Sequence, residues 1–332
     1  TTKKGKLAKA GQKEEIGVSL NSSLTVSTID KSTWVKYQDQ YGSGYGYGDP
    51  PAFEYRTSSG SYTTTDPVKD PLVRWTVTTE DASYGPKFDG QPIWGWYSVD
   101  PESPLYKQSK PYEFSKNGPI TFFETPTTLT NTIAIDKSTE FSTLRLSYTN
   151  YNSEGLLPNS SLKKDNFALN GTWNVTKKMT VMGSASYIKQ KGKGRNATGY
   201  NGNIATNFRQ WQQTQLDFKE LKQVYELTHR NLTWNYNSAL NYPIYSNNPY
   251  WDAYQNYETD ERTRFIGNAS VNYKITNWLD VFGRVSADSY NELQEERRAV
   301  GSVSMRFGIL NVLHQAIYAE IILSVNTTTI SC

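Results

Sequence analysis

The sequence predicts an all-β chain: about seven strands of a partial, antiparallel up-and-down transmembrane β-barrel with long extracellular loops. Three observations predict it. Apolar and polar residues alternate with period two in stretches of about ten residues, as in a strand with a different surrounding on each face. The composition is poor in aliphatics for a conventional core in 332 residues, at 36% apolar, yet aromatics reach 14%, with 24 Tyr and 9 Trp. The links between the stretches are by turns short and long, which in an up-and-down sheet sends every tight turn to one rim and every long loop to the other. An outer-membrane barrel has that asymmetry, and a soluble sandwich has no reason for it.

The strands are expected in this order. Ile16 to Val26 carries Ile16, Val18, Leu20, Leu24 and Val26 on one face. Thr127 to Asp136 and Phe141 to Asn150 are joined by the polar turn "KSTE". Asp165 to Thr176 has Phe167, Leu169, Gly171, Trp173 and Val175 in phase, and "KK" leads on to Met179 to Gln190. Thr263 to Ile275 and Trp278 to Tyr290 are joined by "TN". Residues 27–126, 151–164 and 191–262 are the long links. Tyr148, Tyr187, Tyr273, Trp278 and Tyr290 stand near strand ends, where the aromatic girdles of a membrane barrel belong.

Within the long links, "PKFDGQPIWGWYSVD" (86–100) is the sharpest candidate for ligand contact. Asp89-Gly90 signals a tight turn, Asp89 and Gln91 can anchor hydroxyls or amides, and the faces of Trp94, Trp96 and Tyr97 can stack on sugar rings or apolar peptide side chains. The competing reading is that these rings only hold the loop together. The Gly/Tyr/Pro stretch in residues 34–60 reads as a packed extracellular loop rather than a sticky ligand surface. "LDFKELKQVYEL" (216–227) has helical spacing, and His229 after it reads as a helix-end residue. "KQKGKGRN" (189–196) reads as a solvated loop tip facing anionic lipopolysaccharide, and "DAYQNYETDE" (252–261) as a solvated approach to a strand.

Other chemistries find no pattern. The only Cys is Cys332, and the two His, His229 and His314, lie far apart. H-E-x-x-H, C-x-x-C and the P-loop pattern are absent, "DAYQNYETDE" lacks calcium-loop spacing, and no Ser/His/Asp or Cys/His set can be assembled. No catalytic residue, metal or cofactor is therefore expected. Net charge is +3 with both signs interspersed, which implies no nucleic-acid surface. No run approaches the ~20 apolar residues of a membrane helix, a limit that does not touch barrel strands.

Four stretches, "SYGPKFDGQPI", "LRLSYTNYNSEGLLPNSSLKKDNFALNG", "NPYWDAYQNYETDERTRFIGN" and "ITNWLDVFGRVSADSY", together with the opening "TTKKGK", resemble the SusC/RagA-type TonB-dependent receptors of Bacteroidota outer membranes. The resemblance covers residues 1 to about 309. It implies a 22-stranded barrel filled by a plug and closed outside by a SusD-type surface lipoprotein. It also implies import of a glycan or peptide driven through TonB, and no enzymatic activity. Residues 1–15 would then be the end of the plug domain and its linker, and 16–309 the N-terminal part of the barrel, set in outer-membrane lipid. TonB would act through a plug region this chain lacks. The alternative is a secreted all-β carbohydrate-binding module.

The tail, 310–332, breaks the style of everything before it. Reading the third base of each codon with the first two of the next allows "GYIRRN" from Gln315-Ala316 and "SEYNYDF" from Ser324-Val325, both in keeping with a further barrel strand. A frameshift near Leu310 followed by a premature stop is expected, with His314 and Cys332 as products of the wrong frame.

Overall fold

The computed structural model describes residues 15–46, 53–197, 203–237, 242–303 and, for the backbone, 317–331. Residues 1–14 of the expected plug end (1–15), the expected frameshift point near Leu310, His314 and Cys332 lie outside the described residues.

Eight strands form one antiparallel sheet in strict chain order: β1 (Glu15–Val26), β2 (Thr127–Ser138), β3 (Ser142–Glu154), β4 (Ser161–Asn174), β5 (Met179–Lys193), β6 (Glu258–Lys274), β7 (Asp280–Arg298) and β8 (Ile317–Ser331). All seven expected strands are present, and the tail adds the eighth by pairing Ile317 with Arg298 and Ser331 with Arg284. The up-and-down order puts 139–141, 175–178 and 275–279 on one rim, and 27–126, 155–160 and 194–257 on the other.

Register aligns the outward side chains into rows. Val18, Ile135, Leu146, Leu169, Ala185, Gly267 and Ala287 face one another across seven strands. The next row toward the long rim is Leu20, Ile133, Tyr148, Phe167, Tyr187 and Phe265. Within it Tyr148 and Phe167 stack with ring centroids 4.6 Å apart. These apolar side chains are exposed: Leu20 keeps 77% of its surface, Phe167 52% and Leu146 47%. The opposite face is polar, with Arg145 paired to Asp136 at 2.7 Å, Thr132 to Thr149 at 3.0 Å and Arg264 to Asp288 at 2.8 Å.

The strands run further toward the long rim than alternation suggested. Residues 151–164 are not a long link, because Tyr151, Asn152 and Ser153 pair with Lys164, Lys163 and Leu162, leaving only 155–160. Likewise β5 reaches Lys193, β6 starts at Glu258 and β7 reaches Arg298. Beyond the aromatic row, polar residues hold most positions on both faces of β3 to β6. The backbone ladder continues there, but the contrast that reveals a strand in sequence is gone.

The buried core lies off the sheet. The described parts of links 27–126 and 194–257 fold together into a cap on the long rim, around Phe122, Phe208, Phe218, Leu221, Trp234 and Tyr250. Where one short helix was expected, the described residues form three α-helices: α1 (Ile204–Gln210), α2 (Phe218–Thr228) and α3 (Pro249–Gln255). Their N-caps Asn203, Asp217 and Asn248 accept hydrogen bonds from the first free N–H groups. α2 buries Phe218, Leu221, Val224 and Tyr225, one stripe at helical spacing. His229 ends it in the left-handed conformation (φ 50°), its N–H on the Tyr225 carbonyl at 2.7 Å.

Candidate functional site

The Asp89-Gly90 turn forms as its residues dictate. Gly90 takes a positive φ of 70°, and Asp89 accepts the Gln91 N–H at 3.0 Å. The same carboxylate grips Arg74 with both oxygens, at 3.1 and 3.0 Å. That hydrogen bond holds the Asp89 carboxyl below the usual carboxylate range, against the smaller opposing effect of burial. Gln91 is exposed, while its carbonyl accepts the Tyr112 N–H at 2.9 Å.

From this turn the chain enters the cap. Pro92–Ile93 pairs with Lys110–Pro111. Trp94 is half-buried and lies 6.2 Å from Trp75, ring centre to ring centre, with backbone bonds to Arg74 and Thr76. Trp96 and Tyr97 sit in a 3₁₀ turn (Trp96–Ser98) and are buried, each 5% exposed. The Tyr97 hydroxyl donates to the Ile93 carbonyl at 2.8 Å. Burial, the largest influence, pushes its phenol well above the ordinary range. The five residues thus divide: Asp89 and Gln91 on the outer turn, Trp94 between, Trp96 and Tyr97 within.

Trp96 and Tyr97 also form part of the wall of a cleft of about 290 Å³ between this segment and the start of α2. The remaining wall includes Lys110, Asn117, Gln215 and Glu220. Lys110 carries its ammonium 4.1 Å from the centre of the Tyr97 ring and pairs with Glu220. Burial raises the Glu220 carboxyl above its ordinary value, and the Lys110 charge opposes the rise. Asn117 donates to Asp217 at 2.7 Å. Gln215 donates to Gln213 at 2.8 Å, while its own buried side-chain oxygen has no partner among the described residues. Aromatic walls, amides and one charge pair in a concave site suit a polar chain presenting hydroxyls or amides.

Sequence reading did not single out these four residues. Glu220 had a signal, since Asp217 followed three residues later by Glu is a helix-start pattern. Lys110, Asn117 and Gln215 come from separate loops and had none. A second polar cluster was also missed, on the inward face near the long rim. There Arg262 reaches Glu292 at 2.5 Å and Arg195 reaches Asp260 at 2.9 Å, beside a hollow of about 480 Å³. Asp260 and Glu258 belong to β6 itself, and Asp252 lies on α3, so all of "DAYQNYETDE" but Asn256 and Tyr257 lies in a helix or strand rather than forming a solvated approach.

Among the described residues no group of three His, Cys, Asp or Glu side chains is placed to hold a metal ion, and no helix is long and apolar enough to cross a membrane. No protein-family model matches the chain, and no curated protein matches it. Among solved structures, the chain is similar to one in the RagAB peptide importer in its closed-closed state. The likeness covers 90% of this chain and 30% of that one, at 12% identity and a TM-score of 0.47.

Proposed function

We propose that this chain is part of the wall and outer cap of a TonB-dependent outer-membrane importer of the SusC/RagA type. Its substrate is a glycan or a peptide, and its outer partner is a SusD-type surface lipoprotein. It acts in transport, not as an enzyme. The observation that carries this reading is the exposed apolar face of the sheet. One apolar row runs by register over seven strands, Leu, Ile and Val on the first four and Ala and Gly on the last three, a second row ending in aromatic side chains runs over six, and the buried core of the described residues lies in the cap. Water would penalise such a face and lipid would not. A secreted carbohydrate-binding module would need a second layer over those rows.

Within this reading the cap faces outward, and Asp89, Gln91 and Trp94 meet substrate or lipoprotein. Trp96 and Tyr97 shape the cleft beneath. The inward polar face borders a plug whose end is residues 1–15, and 310–332 is a frameshifted tail. The test is cysteine labelling in cells, in the longer protein this reading requires. Labels at Lys177 or Asn277 should react only from the periplasm, and labels at Arg209 or Arg230 in the cap only from outside. Labelling of both sets from the same side would sink the membrane reading.

A further inference from the structure

The basic run 189–196 does not form a loop tip. Lys189, Lys191 and Lys193 lie on β5 and share the outward face with Tyr187. Register places Lys163 of β4 directly opposite Lys191, Asp165 opposite Lys189, and Ser161 opposite Lys193. Four lysines of two adjacent strands therefore cluster on one face, just beyond the aromatic row Tyr148, Phe167, Tyr187 and Phe265. Like charges directly opposite each other in a sheet are destabilising. The neighbouring acids offset part of this: Lys191 pairs with Glu261, while Asp165 accepts from the Tyr148 hydroxyl at 2.6 Å and from Asn150 at 2.8 Å. Lys193 lies over the Tyr257 ring at 4.6 Å. Lys163 is exposed and makes no ion pair among the described residues.

Below the cluster the surface changes character. A groove of about 330 Å³ is lined by the apolar and aromatic side chains of Leu146, Tyr148, Phe167, Leu169, Ala185 and Tyr187. From Tyr187 to Lys189 and Lys191 the strand climbs about 7 and 13 Å at the usual rise. The order is therefore apolar groove, aromatic rings, then ammonium groups on flexible stems, the vertical profile of a phospholipid from acyl chain to headgroup.

We infer that the outward face of β4 and β5 holds an anionic, phosphate-bearing lipid, its headgroup on Lys163, Lys189 and Lys191 and an acyl chain in the groove below. This rests on the sheet facing lipid, as proposed above, and adds which lipid class the face selects. The inward-facing Lys164, one residue from Lys163, plays no part.

The test uses the longer protein that the membrane reading requires, folded in neutral detergent, titrated with phosphatidylglycerol or phosphatidylcholine and read by native mass spectrometry. The chain is expected to prefer phosphatidylglycerol. Replacing Lys163, Lys189 and Lys191 together by Gln should cut that preference at least about tenfold, and Lys163→Gln alone about fivefold. Lys164→Gln should leave it unchanged, and phosphatidylcholine binding should persist in every variant as the sign of an intact apolar groove. If the triple variant loses both lipids, its fold has gone and Lys163→Gln decides. An unchanged preference in Lys163→Gln then overturns the inference. Equal binding of both lipids by the unaltered chain overturns it while sparing the membrane reading. Binding of neither lipid overturns both. Full displacement of phosphatidylglycerol by equimolar inorganic phosphate would mark a site for a free anion and overturn the lipid assignment.

Discussion

At the scale of single residues, the cap depends on buried polar side chains such as Asn248, whose bonds are all placed. Asn248 is fully buried, caps α3 through the Tyr250 N–H at 2.9 Å, and donates to the carbonyls of Leu221 and Leu232 at 3.1 and 3.0 Å. Asn248→Ala removes a cap and leaves two carbonyls short of a donor, so the cap should lose about 2–4 kcal/mol, measurable as a lower melting temperature. Asp252 is the titrating counterpart. Its side chain accepts from Asn247 and Asn256 at 2.7 Å each, and burial, outweighing those bonds, pushes its carboxyl up from 3.8 to about 6. The folded state then binds the proton more tightly than the unfolded state. This contribution is full at acid pH and is lost as pH rises from about 4 through about 6. In Asp252→Asn, whose amide oxygen still accepts both bonds, that part of the decline should vanish. Melting curves of the two proteins that keep the same slope over this window would contradict the assignment. Trp94 and Trp96 separate in a similar way. Trp94→Ala should weaken substrate uptake with little loss of stability. Trp96→Ala should weaken uptake through an unfolded cap, at a cost of about 3–5 kcal/mol. Unchanged uptake and lipoprotein binding in both would confine these rings to holding the loop together.

At the scale of elements, register carries the argument. A side chain on β4 takes the outward, apolar face or the inward, polar one according to whether its number is odd or even, since Leu169 lies in the outward row and Thr172 faces the other way beside Thr143. Leu169→Arg at the middle of the apolar band should cost about 2–4 kcal/mol of stability in a bilayer, and Thr172→Arg much less. Refolding the longer protein into vesicles under a denaturant series measures both, and equal costs would mean the two faces share one solvent. The strand ends were harder to read than the strand centres. Leu144, Leu146 and Tyr148 announce β3 by contrast with Arg145, Ser147 and Thr149, whereas Tyr151 to Glu154 pair just as regularly without any such contrast.

At the scale of the whole molecule, the sheet has two open ends. Among the described strands β1 pairs only with β2 and β8 only with β7. Each unsatisfied backbone group on those edges costs several kcal/mol in lipid, and in water an open edge recruits other chains. Expressed alone, the chain should aggregate or be degraded. A monodisperse, soluble monomer with a cooperative β-rich melt would revive the secreted-module reading. The tail has its own test in the underlying DNA: the shifted frame from Leu310 should continue as alternating strands, and an early stop in that frame would end the frameshift proposal.

The sequence by itself determined the class, the seven strands, their faces and the segregation of turns by rim, because period-two alternation between two solvents is a local pattern written residue by residue. It also marked the Asp89-Gly90 turn and the helix ended by His229, which depend on near neighbours. Only the tertiary structure decided that the long links fold into one core, that Trp96 and Tyr97 lie inside it while Asp89 stays outside, and that Lys110 meets Glu220. Those contacts join residues about a hundred positions apart, and no local pattern encodes them. The lysine cluster shows the same division. Lys189, Lys191 and Lys193 are visible as a basic run, but their pairing with Lys163 and their place above the aromatic row follow from the register of β4 against β5. Register is set by the summed fit of two faces along the strands, a property of the assembled sheet.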